Sequence, residues 1–181
     1  MDEVEAGFQK LIKRIGENEK ERESLKEQVK KQEVALFGRM MRLSTPLVSK
    51  IGINMLLRGK QDTKGELYDT VFHKKKMIVL GKTDPAEYRP DDASKKVEDQ
   101  FCVLSEDGKL YEMMFSFDGF IADSYANLIS PNEALERYGY DPMYMLYHAL
   151  HDYLKGQEEL VASLKLVLEF VFPGPVTQKK D

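Results

Sequence analysis

The sequence predicts an α+β protein with a long N-terminal helical arm, a central antiparallel β-meander of four to five strands, and C-terminal helices packed on the sheet. Three observations support this fold class. Apolar residues recur at helical spacing in residues 2–43, take strand-like spacing in the central third, and return to helical spacing in the last third. Capping and turn residues mark the borders of these regions, so we expect the elements in that order.

The first element is a proline-free, charge-dense stretch whose apolar residues alternate steps of four and three. This spacing is typical of a long helix with one apolar stripe, although Asn18, Arg22 and Gln32 occupy positions within the stripe. A lone helix of this polarity is not stable in water, so we expect the stripe to pack on another surface. The predicted oligomerisation residues are Val4, Phe8, Leu11, Ile15, Leu25, Val29 and Leu36.

A second, shorter helix is predicted directly after the arm. Thr45 is favoured as its N-cap and Pro46 as its first residue, and Gly59 is placed to end a helix at 46–58. The period then changes from helical to strand-like, and the polar residues 73–76 are expected to turn between the first two strands.

The central third has the pattern of an antiparallel meander. Asp107-Gly108 and Asp118-Gly119 each lie between β-rich runs, and Asp-Gly is the strongest short hairpin signal. Residues 82–99 contain two prolines and many charged residues, which is typical of a long surface loop. The predicted strands are residues 66–72, 77–80, 101–104, 110–117 and 120–121.

The last third is predicted to be helical. A capping box from Ser130 to Glu133 begins a short helix, and a second helix begins at Pro142. We expect Gly156 to interrupt that helix. The final helix, at 157–172, is apolar on most sides, so it is predicted to be the central core helix that covers one face of the sheet.

These elements suggest three parts. We assign residues 1–60 to the helical arm with its short helix, residues 61–175 to an α+β globular domain, and residues 176–181 to a mobile tail. The composition, with 42% hydrophobic and 32% charged residues, is ordinary for a globular protein and excludes a fibrous or fully disordered chain.

The sequence favours a cytoplasmic protein without a membrane partner. Its apolar runs are shorter than the roughly 18 residues that a membrane helix needs, and the chain opens without a basic and then apolar signal segment. Cys102 is the single cysteine, which fits a reducing compartment.

Charge is unevenly distributed along the chain. Residues 1–76 carry 17 Lys and Arg against 12 Asp and Glu, whereas residues 77–181 carry 10 against 19. The basic region could dock on its own acidic body, on a second copy, or on another partner. Nucleic acid is a less favoured partner, because acids and bases alternate along the helix instead of forming a stripe of one sign.

Tyrosine and histidine are concentrated near the start of the C-terminal helices. Such side chains can line a ligand pocket or an interface, or can simply lie at the solvent boundary of a core. Because residues three apart share a helix face, His148 and His151 could bind zinc or iron, but the spacing supplies no third ligand. The ligand or interface candidates are Tyr125, Tyr140, Tyr144, His148 and His151.

Other motifs carry little chemistry. Gly81-Lys82-Thr83 resembles the end of a phosphate-binding loop, but Lys76 replaces the glycine that such a loop needs five positions earlier. Cys102 lies in an apolar strand with no neighbour to activate its thiol. We therefore predict no catalytic residue and no cofactor.

Three functions are consistent with these patterns. The first is a non-enzymatic cytoplasmic interaction or scaffold protein that forms a homodimer through its N-terminal helix. The second is a small-molecule- or metal-binding protein, or an enzyme, with a Tyr- and His-lined pocket between the meander and helix 142–155. The third is weak association with nucleic acid through Lys74, Lys75 and Lys76 and the basic arm.

Overall fold

The computed structural model describes residues 2–172, and the predicted mobile tail at 176–181 lies outside the described residues. It contains three helices and five strands, which confirms the predicted α+β fold with a long N-terminal helix, a meander and C-terminal helices. The helices are α1 (Glu3–Ile51), α2 (Pro131–Tyr138) and α3 (Asp141–Phe170). The strands are β1 (Ile53–Gln61), β2 (Leu67–Thr83), β3 (Asp99–Ser105), β4 (Leu110–Phe117) and β5 (Ile121–Ile129).

The sheet is antiparallel throughout and closes on itself in the order β1-β2-β3-β4-β5. Strand β2 makes closure possible because its first part pairs with β1 and its last part pairs with β3. Strand β1 also pairs with β5, from Arg58 opposite Asp123 to Lys60 opposite Ile121. Both predicted Asp-Gly turns are present, and their second residues, Gly108 and Gly119, have positive φ.

The predicted turn at 73–76 is wrong, because these residues continue β2. Lys76 and Phe72 pair with Asn54 and Leu56 of β1, and residues 73–75 lie at a β-bulge between these pairs. At the bulge the Asn54 side chain donates hydrogen bonds to the carbonyl oxygens of His73 at 2.8 Å and Lys74 at 3.2 Å. Strand β2 is therefore one 17-residue element.

The predicted separate helix at 46–58 is also wrong. Helix α1 continues through Pro46 to Ile51, and β1 begins two residues later. Phe37, Met41 and Val48 form one buried face that extends across the proline. Burial of this face offsets the backbone hydrogen bond that Pro46 cannot make, so the helix does not end there.

Successive side chains along each strand point to opposite faces of the sheet, so the sheet lies between two separate hydrophobic cores. Side chains that face the helices form one cluster with the C-terminal part of α1, with α2 and with the start of α3. Side chains of the opposite parity form the interior of the closed sheet. In β3, Cys102 and Leu104 belong to the first cluster, whereas Val103 belongs to the second.

Helix α3 differs from its prediction in two ways. It is continuous through Gly156, and its second half does not cover the sheet. The C-terminal part of α1 and helix α2 already occupy the helix-facing core, where α3 contributes Leu146, Met143 and Ala149. Residues 154–172 are exposed on every side, so the prediction of a central core helix at 157–172 is wrong.

Candidate functional site: exposed faces of the long helices

Helix α1 has two apolar faces with different surroundings. Phe37, Met41 and Val48 pack into the core of the molecule. The predicted oligomerisation residues lie on another side, centred roughly 90° away around the helix at 100° per residue. Each of them keeps between 44% and 63% of its surface exposed. The seam, as we call this exposed stripe, consists of Val4, Phe8, Leu11, Ile15, Asn18, Arg22, Leu25, Val29, Gln32 and Leu36.

The seam follows a heptad repeat without interruption. Phe8, Ile15, Arg22, Val29 and Leu36 occupy the a positions, and the remaining five seam residues occupy the d positions. Asp2 caps the helix by accepting a hydrogen bond from the amide of Val4, at 3.3 Å. Helix α1 therefore presents a continuous a/d stripe on a surface that nothing else in the described chain covers.

The arm joins the body near the middle of α1. Lys30 Nζ lies 2.5 Å from Glu136 Oε1 of α2, and the Tyr140 hydroxyl donates a hydrogen bond to Glu33. A groove of about 740 Å³ lies between α1 and α2, and Leu25 and Val29 contribute to its wall. The basic arm thus contacts the acidic body of its own chain at this point, while its N-terminal part remains exposed.

The second half of α3 is a separate apolar surface. Seven large apolar side chains here keep between 44% and 78% of their surface exposed. Lys155, Glu158, Lys165 and Glu169 fall along one line of the helix and leave most of its circumference apolar. We call this surface the α3 tail, and its apolar residues are Leu160, Val161, Leu164, Leu166, Val167, Leu168 and Phe170.

The predicted tyrosine and histidine candidates divide into different environments. Tyr144 and His148 are in contact, with ring centroids 4.2 Å apart, and Tyr147 stacks on His151 at 6.0 Å. These rings form a cluster along an exposed flank of α3. Tyr140 instead contacts α1 through Glu33.

The metal prediction has no added support from the fold. Within residues 2–172, no group of three or more His, Cys, Asp and Glu side chains is arranged to hold a metal ion. His151 Nδ1 lies 3.6 Å from Asp152 Oδ1, its neighbour in sequence, and both side chains are exposed.

Tyr125 contacts a partly buried ion-pair cluster, centred on the buried Arg89, that the sequence patterns did not predict. Arg89, from the loop between β2 and β3, donates to Asp91 through Nε at 2.9 Å and to Asp123 through Nη1 at 2.8 Å. Its guanidinium lies 5.6 Å from the Tyr125 ring, and Lys95 also contacts Asp123. The hydrogen bond from Arg89 lowers the pKa of Asp91. The cluster fastens the loop to β5, and an arginine among several aspartates was the available signal.

A second cluster surrounds the buried Glu112 on β4. Gln100 Nε2 donates to Glu112 Oε1 at 2.6 Å, the Tyr138 hydroxyl donates to the same oxygen at 2.9 Å, and Arg137 Nη1 donates to Oε2 at 2.6 Å. Burial, together with the nearby Glu112 carboxylate, raises the pKa of Cys102 to about 12. The thiol is therefore protonated at neutral pH and is a poor nucleophile. A glutamate within an apolar strand was the sequence signal for this cluster.

A histidine lies where β1, β2 and β5 meet. His73 Nε2 lies 3.0 Å from Ser124 Oγ, and the Ser124 hydroxyl donates to the Leu56 carbonyl oxygen at 2.6 Å. The ring nitrogen therefore donates to Ser124, which requires no charge on the imidazole. Burial lowers the pKa of His73.

The lysine run that comes after His73 is partly engaged within the chain. Lys75 Nζ lies 2.7 Å from Asp107 Oδ2, and Lys76 Nζ donates to the Ser49 carbonyl oxygen at 2.9 Å. The Asp107 carboxylate offsets the charge of Lys75, and Lys76 keeps its charge but is held against α1, so the run offers less free positive charge to a nucleic acid.

Comparison with known proteins adds no functional information. No family model matches the chain, and neither the curated proteins nor the solved structures include a significant match. No helix within residues 2–172 is long and apolar enough to cross a membrane. Any function proposed for this protein therefore depends on the geometry of the chain itself.

Proposed function

We propose that this protein is a self-associating interaction or scaffold protein whose body is joined to other copies through the seam of α1. The observation that carries the proposal is the exposure of a continuous a/d stripe on the side of α1 that does not pack on the body. Seven of the ten seam residues are apolar, and their exposure is unfavourable in water. An equivalent stripe on a second helix is the partner that matches their spacing.

The difference between the buried C-terminal part and the exposed N-terminal part of α1 supports this proposal. The C-terminal part of the helix is held by the core through Phe37, Met41 and Val48, and the N-terminal part continues from it as the same helix. Every side chain from Glu17 to Gln32 is exposed, so the rest of the described chain does not cover this part of the seam. A homodimer is the simplest assembly with such a surface.

The clusters around the buried Arg89 and Glu112 are better explained as structural than as catalytic. The charged groups of these two residues are each held by oppositely charged and hydrogen-bonding partners. A cytoplasmic location fits the proposal, since a single buried thiol needs no oxidising compartment.

Solution mass tests the proposal directly. The full-length wild-type chain is expected to form a dimer by light scattering or analytical ultracentrifugation. The double variant Leu11→Glu/Leu25→Glu is expected to be a monomer with unchanged helix content in the body, because both side chains are exposed and lie in the seam.

The matched control adds the same charge to another side of the helix. Gln9→Glu/Ser24→Glu changes two exposed positions outside the seam and is expected to remain a dimer. A monomeric wild-type chain at micromolar to millimolar concentration would refute the proposal, and so would equal effects of the seam and control variants.

A further inference from the structure

The charged residues at the e and g positions, on either side of the seam, favour one orientation of the partner helix. We propose that the seam pairs with the seam of a second copy of this chain as a parallel, in-register, two-stranded coiled coil. This inference rests on the proposed self-association and adds to it the geometry of the pair.

The residue types in the seam favour two strands. β-branched Ile15 and Val29 occupy a positions, and Leu11 and Leu25 occupy d positions. In parallel coiled coils, β-branched residues at a and leucine at d pack best in a dimer, because the side chains at the two layers meet the partner at different angles.

Flanking charges are complementary in the parallel alignment. In such a pair, each g residue lies beside the e residue five positions later on the other helix. Arg14 would then face Glu19 of the second copy, and Glu21 would face Lys26 of the second copy. Both pairs join opposite charges, and each occurs twice in a symmetric dimer.

The antiparallel alternative is disfavoured by the same charges. The alignment that keeps apolar layers opposite one another places Leu11 against Val29 and Ile15 against Leu25. In an antiparallel pair, e residues lie beside e residues and g residues beside g residues. Glu19 would then face Glu19 of the second copy, and Glu21 would face Glu21 of the second copy. The antiparallel alignment thus exchanges the attractive flanking pairs for two like-charge contacts, whereas the parallel alignment has one like-charge layer, at Arg22.

The flanking side chains are available for these contacts. Lys26 Nζ lies 3.1 Å from Glu23 Oε1 within its own helix, but both side chains are more than 60% exposed. An exposed pair of this kind contributes little, so Lys26 can exchange it for a contact across the interface.

The polar seam residues also fit an in-register pair. In register, Asn18 would meet Asn18 and Arg22 would meet Arg22, and this layer of like charges lowers the stability of the pair. A shift by one heptad would place each Arg22 against an apolar layer, where its charge has no polar neighbour. A buried polar layer lowers stability, but it penalises the shifted alignments more strongly. The seam therefore favours one register over its neighbours.

Disulfide trapping in the full-length chain tests orientation. Leu11→Cys is expected to form a disulfide dimer on mild oxidation, because equivalent d positions of a parallel pair are within disulfide range. Wild type is the control, since its single cysteine, Cys102, is buried. In the antiparallel alignment Leu11 lies opposite Val29, so cross-linking only in a mixture of Leu11→Cys and Val29→Cys would overturn the inference.

Charge reversal gives an independent test. Arg14→Glu alone and Glu19→Arg alone each place like charges together in a parallel homodimer, and we expect the dissociation constant of each to rise about tenfold. A mixture of the two variants restores both attractive pairs and is expected to form the heterodimer preferentially. Absence of heterodimer preference would overturn the parallel alignment.

The outcomes separate the two proposals. A monomeric wild-type chain would refute self-association itself. A dimeric wild-type chain that fails the disulfide or the charge-reversal test would leave self-association intact and overturn only the parallel, in-register geometry.

Discussion

At the scale of single residues, Glu112 shows how the core of this protein accommodates a buried charge. Glu112 has no exposed surface, and its two carboxylate oxygens accept three hydrogen bonds from Gln100, Arg137 and Tyr138. A buried carboxylate is tolerated only when its partners replace the water that it loses. These contacts join β3, β4 and α2, so the charge links the sheet to the helices.

Removal of this carboxylate is expected to destabilise the fold strongly. Glu112→Ala leaves the donors of Gln100 and Tyr138 without a partner in the core, and we expect a loss of about 3 kcal/mol in the free energy of unfolding. Chemical denaturation measures the loss. Glu66→Ala, at an exposed glutamate, is the control and is expected to change the stability by less than about 0.5 kcal/mol. Similar effects of the two substitutions would contradict a structural role for Glu112.

His73 is expected to make the stability depend on pH. Its pKa is lowered in the folded state by burial, so the unfolded chain binds a proton first as the pH falls. The stabilising contribution is therefore complete above the unfolded pKa of about 6.5 and is lost as the pH falls through the lower folded pKa.

Denaturation curves at one protein concentration test this pH dependence. His73→Gln removes the titrating group, and we expect it to flatten the pH dependence of the unfolding free energy below about pH 6.5. His148→Gln on the flank of α3 is the control and is expected to retain the wild-type slope. An unchanged slope in His73→Gln would show that other groups are responsible.

At the scale of secondary-structure elements, the helices are longer than their local signals predict. Pro46 lies within α1 and Gly156 lies within α3, although each residue disfavours the helix interior. At Pro46 the buried face of α1 explains the continuity. At Gly156 no comparable burial exists, because its neighbours are exposed, so good helix formers on both sides sustain the helix.

Two glycine substitutions are expected to act in opposite directions. A Cβ at Gly156 would meet nothing within 4 Å, so Gly156→Ala is expected to stabilise α3 by about 0.5–1 kcal/mol, measured by amide hydrogen exchange. A Cβ at Gly139 is equally unobstructed, but this residue has a φ of +61°. Gly139→Ala is therefore expected to destabilise the α2–α3 junction by about 1–3 kcal/mol. Equal effects at the two sites would contradict the backbone explanation.

At the scale of the whole molecule, two apolar surfaces project from one packed body. The seam is a narrow stripe with polar flanks, which is suited to one partner helix. The α3 tail is apolar around most of its circumference, which is more typical of a helix with several neighbours. The two surfaces therefore differ in the number of contacts that each can make.

The α3 tail is expected to promote association beyond the dimer. Leu164→Glu/Leu168→Glu replaces two exposed side chains, so we expect the unfolding free energy to change by less than about 1 kcal/mol. Sedimentation velocity at rising concentration is expected to show species larger than a dimer for wild type and a loss of those species for the variant. Lys155→Glu on the polar line is the control. Persistence of the larger species in the double variant would contradict this role.

Much of the fold was predictable because its signals are local. The heptad spacing of α1, the Asp-Gly turns at Gly108 and Gly119, and the capping box at Ser130 each depend on residues close in sequence. Such signals act through backbone preference and side-chain spacing, and they do not require knowledge of the rest of the chain. They determined the α+β class, the order of the main elements and the position of the seam in the sequence.

Tertiary structure decided what each element faces. The closure of β1 on β5, the continuation of α1 past Pro46, and the fastening of Arg89 to Asp123 all join residues that are distant in sequence or depend on burial. The same is true of the α3 tail, whose apolar sequence suits a core but which is exposed because α1 and α2 occupy the helix-facing core. Periodicity can identify an apolar face, but only packing determines whether the protein itself covers that face.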